Sequence, residues 1–357
     1  MKETSEGAAR LRAWFESIFH KEFFVMPSTS TREYERSPFE SSFFLTGATA
    51  SGKTSLGIEL AQRIGAEIVS LDSMAIYRTM DIGTAKPSLD ERRGVAHHMI
   101  DVVDPSEDFS VVEYMRQAAD VAREIESRGK TALFVGGTPL YLKTMLFGVF
   151  DAPPSDPALR KELRGVAERE GVDAVWTRLR QVDPKAAEKL HPNDLKRVIR
   201  ALEVFQLTGK RISEQQTQFA APPLFEPSRI FILTWEREPL YERIDRRVDM
   251  MLDAGFLEET RALFGGSPAP GPTASKAVGY RELNAVLRGE VPLDEAVEKI
   301  KQLTRNFAKR QETWFRSLTK QGARRISVEN KSREELVSEL EEEIEKIKRR
   351  NGSAAAQ

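Results

Sequence analysis

Short runs of apolar residues alternate with helical patterns along the first half of the chain. The runs predict buried strands at residues 42–46, 67–71, 131–135 and 229–233. A helical pattern from residue 53 to about residue 64 separates the first two. Because strands that alternate with helices form parallel sheets, we predict an α/β core whose parallel sheet is flanked by helices.

A second kind of pattern interrupts this core. Residues 152–220 are charged and helical in pattern, they contain no strand signal, and proline-rich segments lie at both ends. We therefore predict an inserted all-helical lobe at 152–220 and a core formed by 41–151 and 221–325. Residues 1–40 are predicted to be an N-terminal extension of this core.

The last part of the chain has helical periodicity of its own. Leu336, Leu340 and Ile344 fall on one stripe, and Ser332 and Glu335 have the spacing of a capping box. We predict an amphipathic helix at 331–350 that packs against the body of the protein. A helix that binds a partner is the alternative, and residues 351–357 are predicted to be disordered.

Composition narrows the classes of chemistry. The 357 residues are 40% apolar and 31% charged, with a net charge of −1 and no cysteine. Disulfides, thiolate metal sites and a cysteine nucleophile are excluded, and a nucleic acid would have to bind local basic patches. No run approaches the roughly 20 apolar residues of a membrane span. We expect a cytoplasmic monomer that does not bind membranes.

The strongest chemical motif follows the first predicted strand and opens the first predicted helix. It has the spacing of a phosphate-binding P-loop, and its residues are Gly47, Ala48, Thr49, Ala50, Ser51, Gly52, Lys53 and Thr54. Glycines let backbone N–H groups surround a phosphate, and the lysine reaches the outer phosphate groups. The Thr54 hydroxyl is the predicted Mg²⁺ ligand.

An acidic side chain is expected beside this loop. The strand that ends at Val135 is followed by Gly136, Gly137 and Thr138, so it lacks the aspartate that holds the metal in nucleoside triphosphatases. Asp72, at the end of the second strand, should face the same crevice, because parallel strands end at one edge of a sheet. A general base is the functional interpretation, and an aspartate that caps a turn or a helix is the alternative.

Seven longer motifs occur in one order along the chain. They are DSMAIYR at 72–78, MDIGTAKP at 80–87, HHMID at 97–101, GGTPLY at 136–141, HPND at 191–194, AVGYR at 277–281 and KRQETWFR at 309–316. Together with the P-loop they resemble the tRNA dimethylallyltransferase family, and the resemblance covers the chain from about residue 43 to residue 316.

The resemblance implies a reaction. The P-loop would hold the pyrophosphate of dimethylallyl pyrophosphate instead of ATP, with Mg²⁺, and the dimethylallyl group would go to the N6 amine of adenosine 37, next to the anticodon, in tRNAs that read codons beginning with U. Lys53, Thr54 and Arg247 would stabilise the leaving pyrophosphate, and Asp72 would take the proton. On spacing alone, Arg243 and Arg247 are only neighbours on one helix face.

The resemblance also implies a tRNA-binding set, with the insertion gripping the anticodon stem-loop. Its members are Asp72, Ser73, Met74, Ala75, Thr138, Arg160, Lys196, Arg197, Arg200, Lys276, Gly279, Tyr280, Arg281, Lys309, Arg310, Gln311, Trp314 and Arg316. Composition alone favours solvated faces for the basic clusters. Trp314 and Tyr280 could stack on bases, but aromatic residues at helical spacing are more often core.

Two departures from the family pattern and three rival functions stay open. Ala48 stands where the family usually has proline, and Ala75 stands where glutamine is common beside the target base. The rivals are a P-loop small-molecule kinase, a prenyltransferase acting on free adenine nucleotides, and a non-catalytic RNA-binding module. A basic helical insertion argues against the first two, and an intact Asp72 argues against the third.

Overall fold

The computed structural model describes residues 37–148, 153–216 and 222–355. The predicted N-terminal extension lies outside these residues except for its last four. Of those four, Phe39 is buried and its ring meets Phe134 edge to face at 5.7 Å, so it belongs to the core. The described residues form two compact units, a larger one of 37–148 with 223–355 and a smaller one of 153–216 with residue 222.

The larger unit is built on a parallel sheet, as predicted. Six strands lie in the order β3-β2-β4-β1-β5-β6, and they are β1 Phe43–Gly47, β2 Ala66–Ser70, β3 His97–His98, β4 Thr131–Gly136, β5 Ile230–Thr234 and β6 Arg324–Ser327. The sequence did not predict β3 or β6. Two residues are too few to form a pattern, and β6 is an edge strand that carries Arg324 and Arg325.

Helices cover both faces of the sheet. In the larger unit these are α1 Lys53–Ile64, α2 Val111–Ser127, α3 Pro139–Phe147, α9 Arg237–Asp253, α10 Phe256–Gly265, α11 Tyr280–Leu287, α12 Leu293–Thr319 and α13 Arg333–Ala355. Strands β1 and β2 are buried along their whole length, and β5 is buried from Ile230 to Leu233, because both faces are covered. A stack of Phe44 with Phe134 at 5.0 Å and with Phe225 at 4.9 Å lies on one face.

The C-terminal helix packs against the body. Leu336, Leu340 and Ile344 are buried in one cluster with α1 and the sheet. Because this apolar stripe is covered, the structure argues against the alternative that the helix binds a partner. The predicted capping box forms, since Glu335 accepts from Ser332 N at 2.7 Å and donates its own N–H to Ser332 Oγ at 3.2 Å. The helix continues to Ala355, which differs from the disorder predicted from residue 351 onward.

Among residues 153–216, the smaller unit consists of helices joined by loops and contains no strand. Its helices are α4 Pro157–Glu170, α5 Val172–Val182, α6 Pro184–Lys189, α7 Leu195–Thr208 and α8 Ile212–Gln215. Leu163, Val175, Leu179, Val198 and Leu202 form its core. The limits of this unit lie close to the predicted insertion at 152–220.

A short break separates helices α9 and α10. Helix α9 ends at Asp253 and α10 begins at Phe256. The break falls at Gly255, whose φ of 97° is a left-handed conformation that favours glycine. Within the residues described, no helix has both the length and the apolar composition needed to cross a membrane.

Candidate active site

The loop between β1 and α1 has the geometry of a phosphate cradle. Gly52 turns the chain into α1 with a φ of 88°, and Ala50 also has a positive φ of 62°. The first N–H groups of a helix have no intrahelical acceptor, and no side chain caps this one. The buried Ser51 hydroxyl finds no partner within the described part of the chain. These donors suit an anion bound at the helix N-terminus.

Asp72 lies at the same sheet edge as this loop, as predicted. It follows β2 directly, and its Oδ1 accepts from Met74 N at 2.8 Å and Ala75 N at 3.3 Å. The turn after β4 lies beside it, because Thr138 N donates to Leu71 O at 3.1 Å and Ser73 N donates to Thr138 Oγ1 at 3.0 Å. Asp72 thus caps a turn, as its alternative interpretation held, and its second carboxylate oxygen is not used in that turn.

The turn after β2 and the turn after β4 lie in close contact. A Cβ at Gly136 would overlap the backbone of Leu71, so only glycine fits at the end of β4. Gln311 of α12 is buried between the two glycine-rich turns, where its Oε1 accepts from Thr49 N at 2.9 Å and its Nε2 donates to Gly137 O. The resemblance implies that Gln311 contacts tRNA. In the structure its side-chain amide instead links these two glycine-rich turns, and we call this link the strut.

Two cations face the cradle. Burial, with Arg247 nearby, lowers the pKa of Lys53 to about 8 against the opposing effect of Asp72. Burial also lowers the pKa of Arg247, and Asp72 acts in the opposite sense. The Lys53 ammonium donates to Ala48 O at 3.1 Å, and Arg247 Nη1 lies 3.5 Å from Thr49 Oγ1. Arg247 forms no ion pair with any residue that the structure describes, so its charge is available to an anion.

Arg243 is a site residue that the sequence analysis did not select. Its Nε donates to Ala50 O at 3.0 Å, and its guanidinium lies over the Trp235 ring at 4.6 Å. The Trp235 indole in turn donates to Ser51 O at 3.0 Å. The spacing of four residues from Arg247 is the sequence signal that could have identified it, because both side chains project from one face of α9 toward the cradle.

A cavity of about 380 Å³ joins these groups. Lys53, Thr54, Asp72, Thr138 and Arg247 line its polar part. An apolar part of its wall comes from the segment between α9 and α12, with Ile244, Val248, Met251, Phe256, Ala277, Tyr280, Ile300 and Phe307. A ligand with a charged head and an apolar body matches this division.

The smaller unit uses two of its predicted tRNA-binding arginines internally. Glu203 is fully buried, and Arg160 binds both of its oxygens at 2.8 Å. Arg200 also pairs with Glu203 and donates to Pro153 O at 2.8 Å. Burial raises the pKa of Glu203, but the bonds from Arg160 and Arg200 outweigh it and hold that pKa below its usual value. Lys196 and Arg197 are exposed, and Arg197 pairs with Asp194 at 2.7 Å.

Some of the predicted tRNA-binding residues between 276 and 316 are buried and others are exposed. Tyr280 is fully buried and donates to Glu259 at 2.6 Å, so it occupies the core position that was the more common alternative to stacking. Gly279 makes a tight turn against Phe256. Lys276 lines the cavity, and so do Met74 and Ala75, which follow Asp72 in the chain. The remaining predicted tRNA-binding side chains of this region are exposed, namely Arg281, Lys309, Arg310, Trp314 and Arg316.

Fold and site together define an α/β protein with a glycine-rich loop between its first strand and its first helix. The sequence model described as IPP transferase matches residues 75–318, and the one described as isopentenyl transferase matches residues 41–104. The chain belongs to the IPP transferase family. The tRNA dimethylallyltransferases of Geobacter metallireducens and Geobacillus kaustophilus are each 48% identical over 274 residues, which cover 76% of this chain and 87% and 86% of those proteins.

Solved structures give the same result. The tRNA isopentenylpyrophosphate transferase from Bacillus halodurans is 36% identical with a TM-score of 0.64, over 88% of this chain and 99% of that one. A eukaryotic dimethylallyltransferase acting on tRNA is 31% identical with a TM-score of 0.67, over 80% of this chain and 73% of that one.

Proposed function

We propose that this protein transfers the dimethylallyl group of dimethylallyl pyrophosphate to the N6 amine of adenosine 37, next to the anticodon, in tRNAs that read codons beginning with U. The single observation that carries the proposal is the shared cavity. It places a phosphate cradle, a carboxylate and an apolar wall around one volume. The names of the relatives support the same reaction and the same RNA.

The donor matches the cavity end by end. The pyrophosphate would bind at the cradle, where N–H groups, Lys53 and Arg247 provide the positive field, and the apolar dimethylallyl group would lie along the apolar wall. As the bond from carbon to the pyrophosphate oxygen breaks, negative charge grows on the leaving group. Cations that are already in place stabilise that charge without reorganisation.

The acceptor requires a base. The lone pair of an adenine amine is delocalised into the ring, so the amine becomes nucleophilic only as it loses its proton. The N6 nitrogen forms the new bond to the carbon, and Asp72 takes the N6 proton. The base must leave the anticodon stack to reach Asp72, and exposed basic residues such as Lys309 and Arg316 would hold the RNA backbone.

Mg²⁺ fits this site with few protein ligands. The described residues contain no group of three acidic or histidine side chains that could form a metal cage. Mg²⁺ commonly binds one or two protein oxygens together with phosphate oxygens. The exposed Thr54 hydroxyl at the start of α1 is such an oxygen, and the ion would add positive charge beside the pyrophosphate. We also propose that the protein acts as a monomer in the cytoplasm.

Mass spectrometry of the RNA is the direct test. The protein is incubated with dimethylallyl pyrophosphate, Mg²⁺ and an unmodified anticodon stem-loop, and the expected product is the RNA plus one dimethylallyl group with loss of one hydrogen. Unchanged RNA would contradict the proposal. Transfer to free adenosine monophosphate alone, or phosphate transfer from ATP to a small alcohol, would favour the rival functions.

Asp72→Ala tests the base. We expect the rate of transfer to fall about 10²- to 10⁴-fold, while the affinity for the stem-loop, measured by filter binding, stays within about threefold. Asp72→Asn serves as the matched variant, because it keeps the size and the turn acceptor but cannot take a proton. Equal rates for the wild type and Asp72→Asn would show that another group is the base.

A further inference from the structure

Behind the apolar part of the cavity wall lies a contact that the proposed reaction does not itself use. Glu259 of α10 is half-buried, and its carboxylate is bound by four donors. Its Oε2 accepts from Asp81 N at 2.9 Å and Ile82 N at 2.8 Å, and its Oε1 accepts from Gly83 N at 3.1 Å and Tyr280 Oη at 2.6 Å. Three successive backbone N–H groups on one carboxylate form an anion nest.

This carboxylate fixes the cavity wall. Gly83 and Tyr280 both line the cavity, together with Phe256. A Cβ at Gly83 would overlap the rings of Phe256 and Tyr280, and those two rings meet edge to face at 4.8 Å. Phe256 and Tyr280 are almost fully buried, so they have packed core behind them. The Glu259 contacts therefore hold the backbone at Gly83 and the Tyr280 side chain in place beside Phe256.

Helix α9 relates this wall to the phosphate cradle. Arg247 faces the cradle, and Val248 and Met251 line the cavity next along the same helix. At 1.5 Å per residue, Met251 lies about 6 Å beyond Arg247 along the helix axis. A dimethylallyl chain of four bonded carbons spans a similar length, on the order of 5 Å. Val248, Phe256 and Tyr280 belong to one buried cluster, and Met251 packs against it.

We propose that Glu259 is a positioning residue that limits the prenyl donor to a five-carbon chain, by holding Gly83 and Tyr280 against Phe256 at the apolar end of the cavity. The inference rests on the proposed function, because it assigns the apolar wall to the donor. A ten-carbon geranyl chain would need the space that this wall occupies. Without the carboxylate, three N–H groups and one hydroxyl lose their shared acceptor and the wall loosens.

The test compares two donors. Transfer to the stem-loop is measured with dimethylallyl pyrophosphate and with geranyl pyrophosphate, and the two values of kcat/KM are expressed as a ratio. We expect Glu259→Ala to raise the ratio of geranyl to dimethylallyl transfer about tenfold or more, the scale at which apolar pockets discriminate chain length. Glu258→Ala is the matched control, since Glu258 is adjacent, exposed and equally charged, and its ratio should equal that of the wild type.

Two further variants protect the test against loss of folding. Glu259→Gln keeps the shape and one acceptor oxygen, and we expect an intermediate ratio. Met251→Ala enlarges the same end of the cavity directly and should raise the ratio without touching Glu259. Circular dichroism shows which variants fold, and Glu259→Gln decides the matter if Glu259→Ala does not.

The outcomes separate this inference from the proposed function. If Glu259→Ala and Glu259→Gln slow both donors equally, so that the ratio stays that of the wild type, Glu259 supports the fold in general and the inference is wrong. The same holds if Glu258→Ala changes the ratio as much as Glu259→Ala. If the wild-type protein alters the RNA with neither donor, the proposed function itself fails.

Discussion

Arginine side chains are used in opposite ways in the two units of the molecule. In the larger unit, Arg247 faces the phosphate cradle and forms no ion pair with a described residue. In the smaller unit, Arg160 and Arg200 both bind the buried Glu203. A buried charge without a partner is costly and marks a site that awaits an anion, whereas a neutralised cluster stabilises its own helices. The sequence pattern is basic in both places, so pairing, and not charge, separates the two roles.

Among the changes that test this comparison, the largest expected effect comes from removing the unpaired cation. Arg247→Met should lower kcat/KM for dimethylallyl pyrophosphate about 10²- to 10³-fold, because the leaving group loses a preorganised positive charge. The free energy of unfolding should be unchanged or higher, since a buried unpaired charge is removed. Initial rates and urea unfolding measure the two effects.

Arg246→Met is the control for that prediction. Arg246 is the adjacent residue on α9, it is exposed, and it does not line the cavity that contains Asp72. Its loss should change kcat/KM less than about threefold, the level expected for an exposed charge. An equal loss in both variants would mean that general electrostatic attraction, and not contact with the leaving group, explains the effect.

The opposite result is expected in the smaller unit. Arg160→Met leaves Glu203 with less neutralising charge, and we expect the free energy of unfolding to fall by about 2 kcal/mol, less than for a fully buried pair because the guanidinium is partly exposed. Arg197→Met, which breaks only an exposed pair with Asp194, should cost less than about 1 kcal/mol. If Arg160→Met weakens stem-loop binding without lowering stability, Arg160 is a tRNA contact as the resemblance implies.

Donor binding should depend on pH through the second cation of the cradle. The pKa of Lys53 is about 8 in the free protein, and a bound pyrophosphate favours the charged form and raises it. Lys53 is therefore charged below pH 8, and binding above pH 8 requires uptake of a proton. The Kd for the donor should rise by up to about tenfold per pH unit above 8.

Lys53→Arg provides the contrast, because a guanidinium stays charged in this range. Its Kd for the donor, measured by calorimetry between pH 7 and pH 9.5, should lose most of the pH dependence. An unchanged pH profile in Lys53→Arg would assign the titration to a different group.

The comparison also shows what the sequence could establish. The phosphate loop, α1 and four strands follow from local patterns of apolar residues and glycine, and these predictions agree with the structure to within one or two residues. Asp72 was placed at the correct sheet edge because parallel strands end together. Each of these features depends on residues that lie within about ten positions of one another in the sequence.

Long-range partners were not predictable in this way. Gln311 reaches Thr49 across 262 residues, and Glu259 reaches Asp81 across 178. Arg247 and Arg160 both lie on basic helix faces, and only the position of Glu203 distinguishes them. Spacing along a helix shows which residues lie on the same face, but it does not show which residues of another element contact that face.

The smallest expected effect tests the strut between the two glycine-rich turns. Gln311→Met removes two hydrogen bonds, to Thr49 N and Gly137 O, while keeping a similar volume in a buried position. We expect the KM for dimethylallyl pyrophosphate to rise about fivefold, equivalent to about 1 kcal/mol, because the cradle loses one of its supports. Gln302→Met, at an exposed position of the same helix, should leave that KM unchanged.

A strut between the two turns affects only donor binding, so the KM of Gln311→Met for the stem-loop should stay the same. If instead the stem-loop KM rises and the donor KM does not, Gln311 contacts the RNA directly, and the resemblance describes its role better than the buried geometry does.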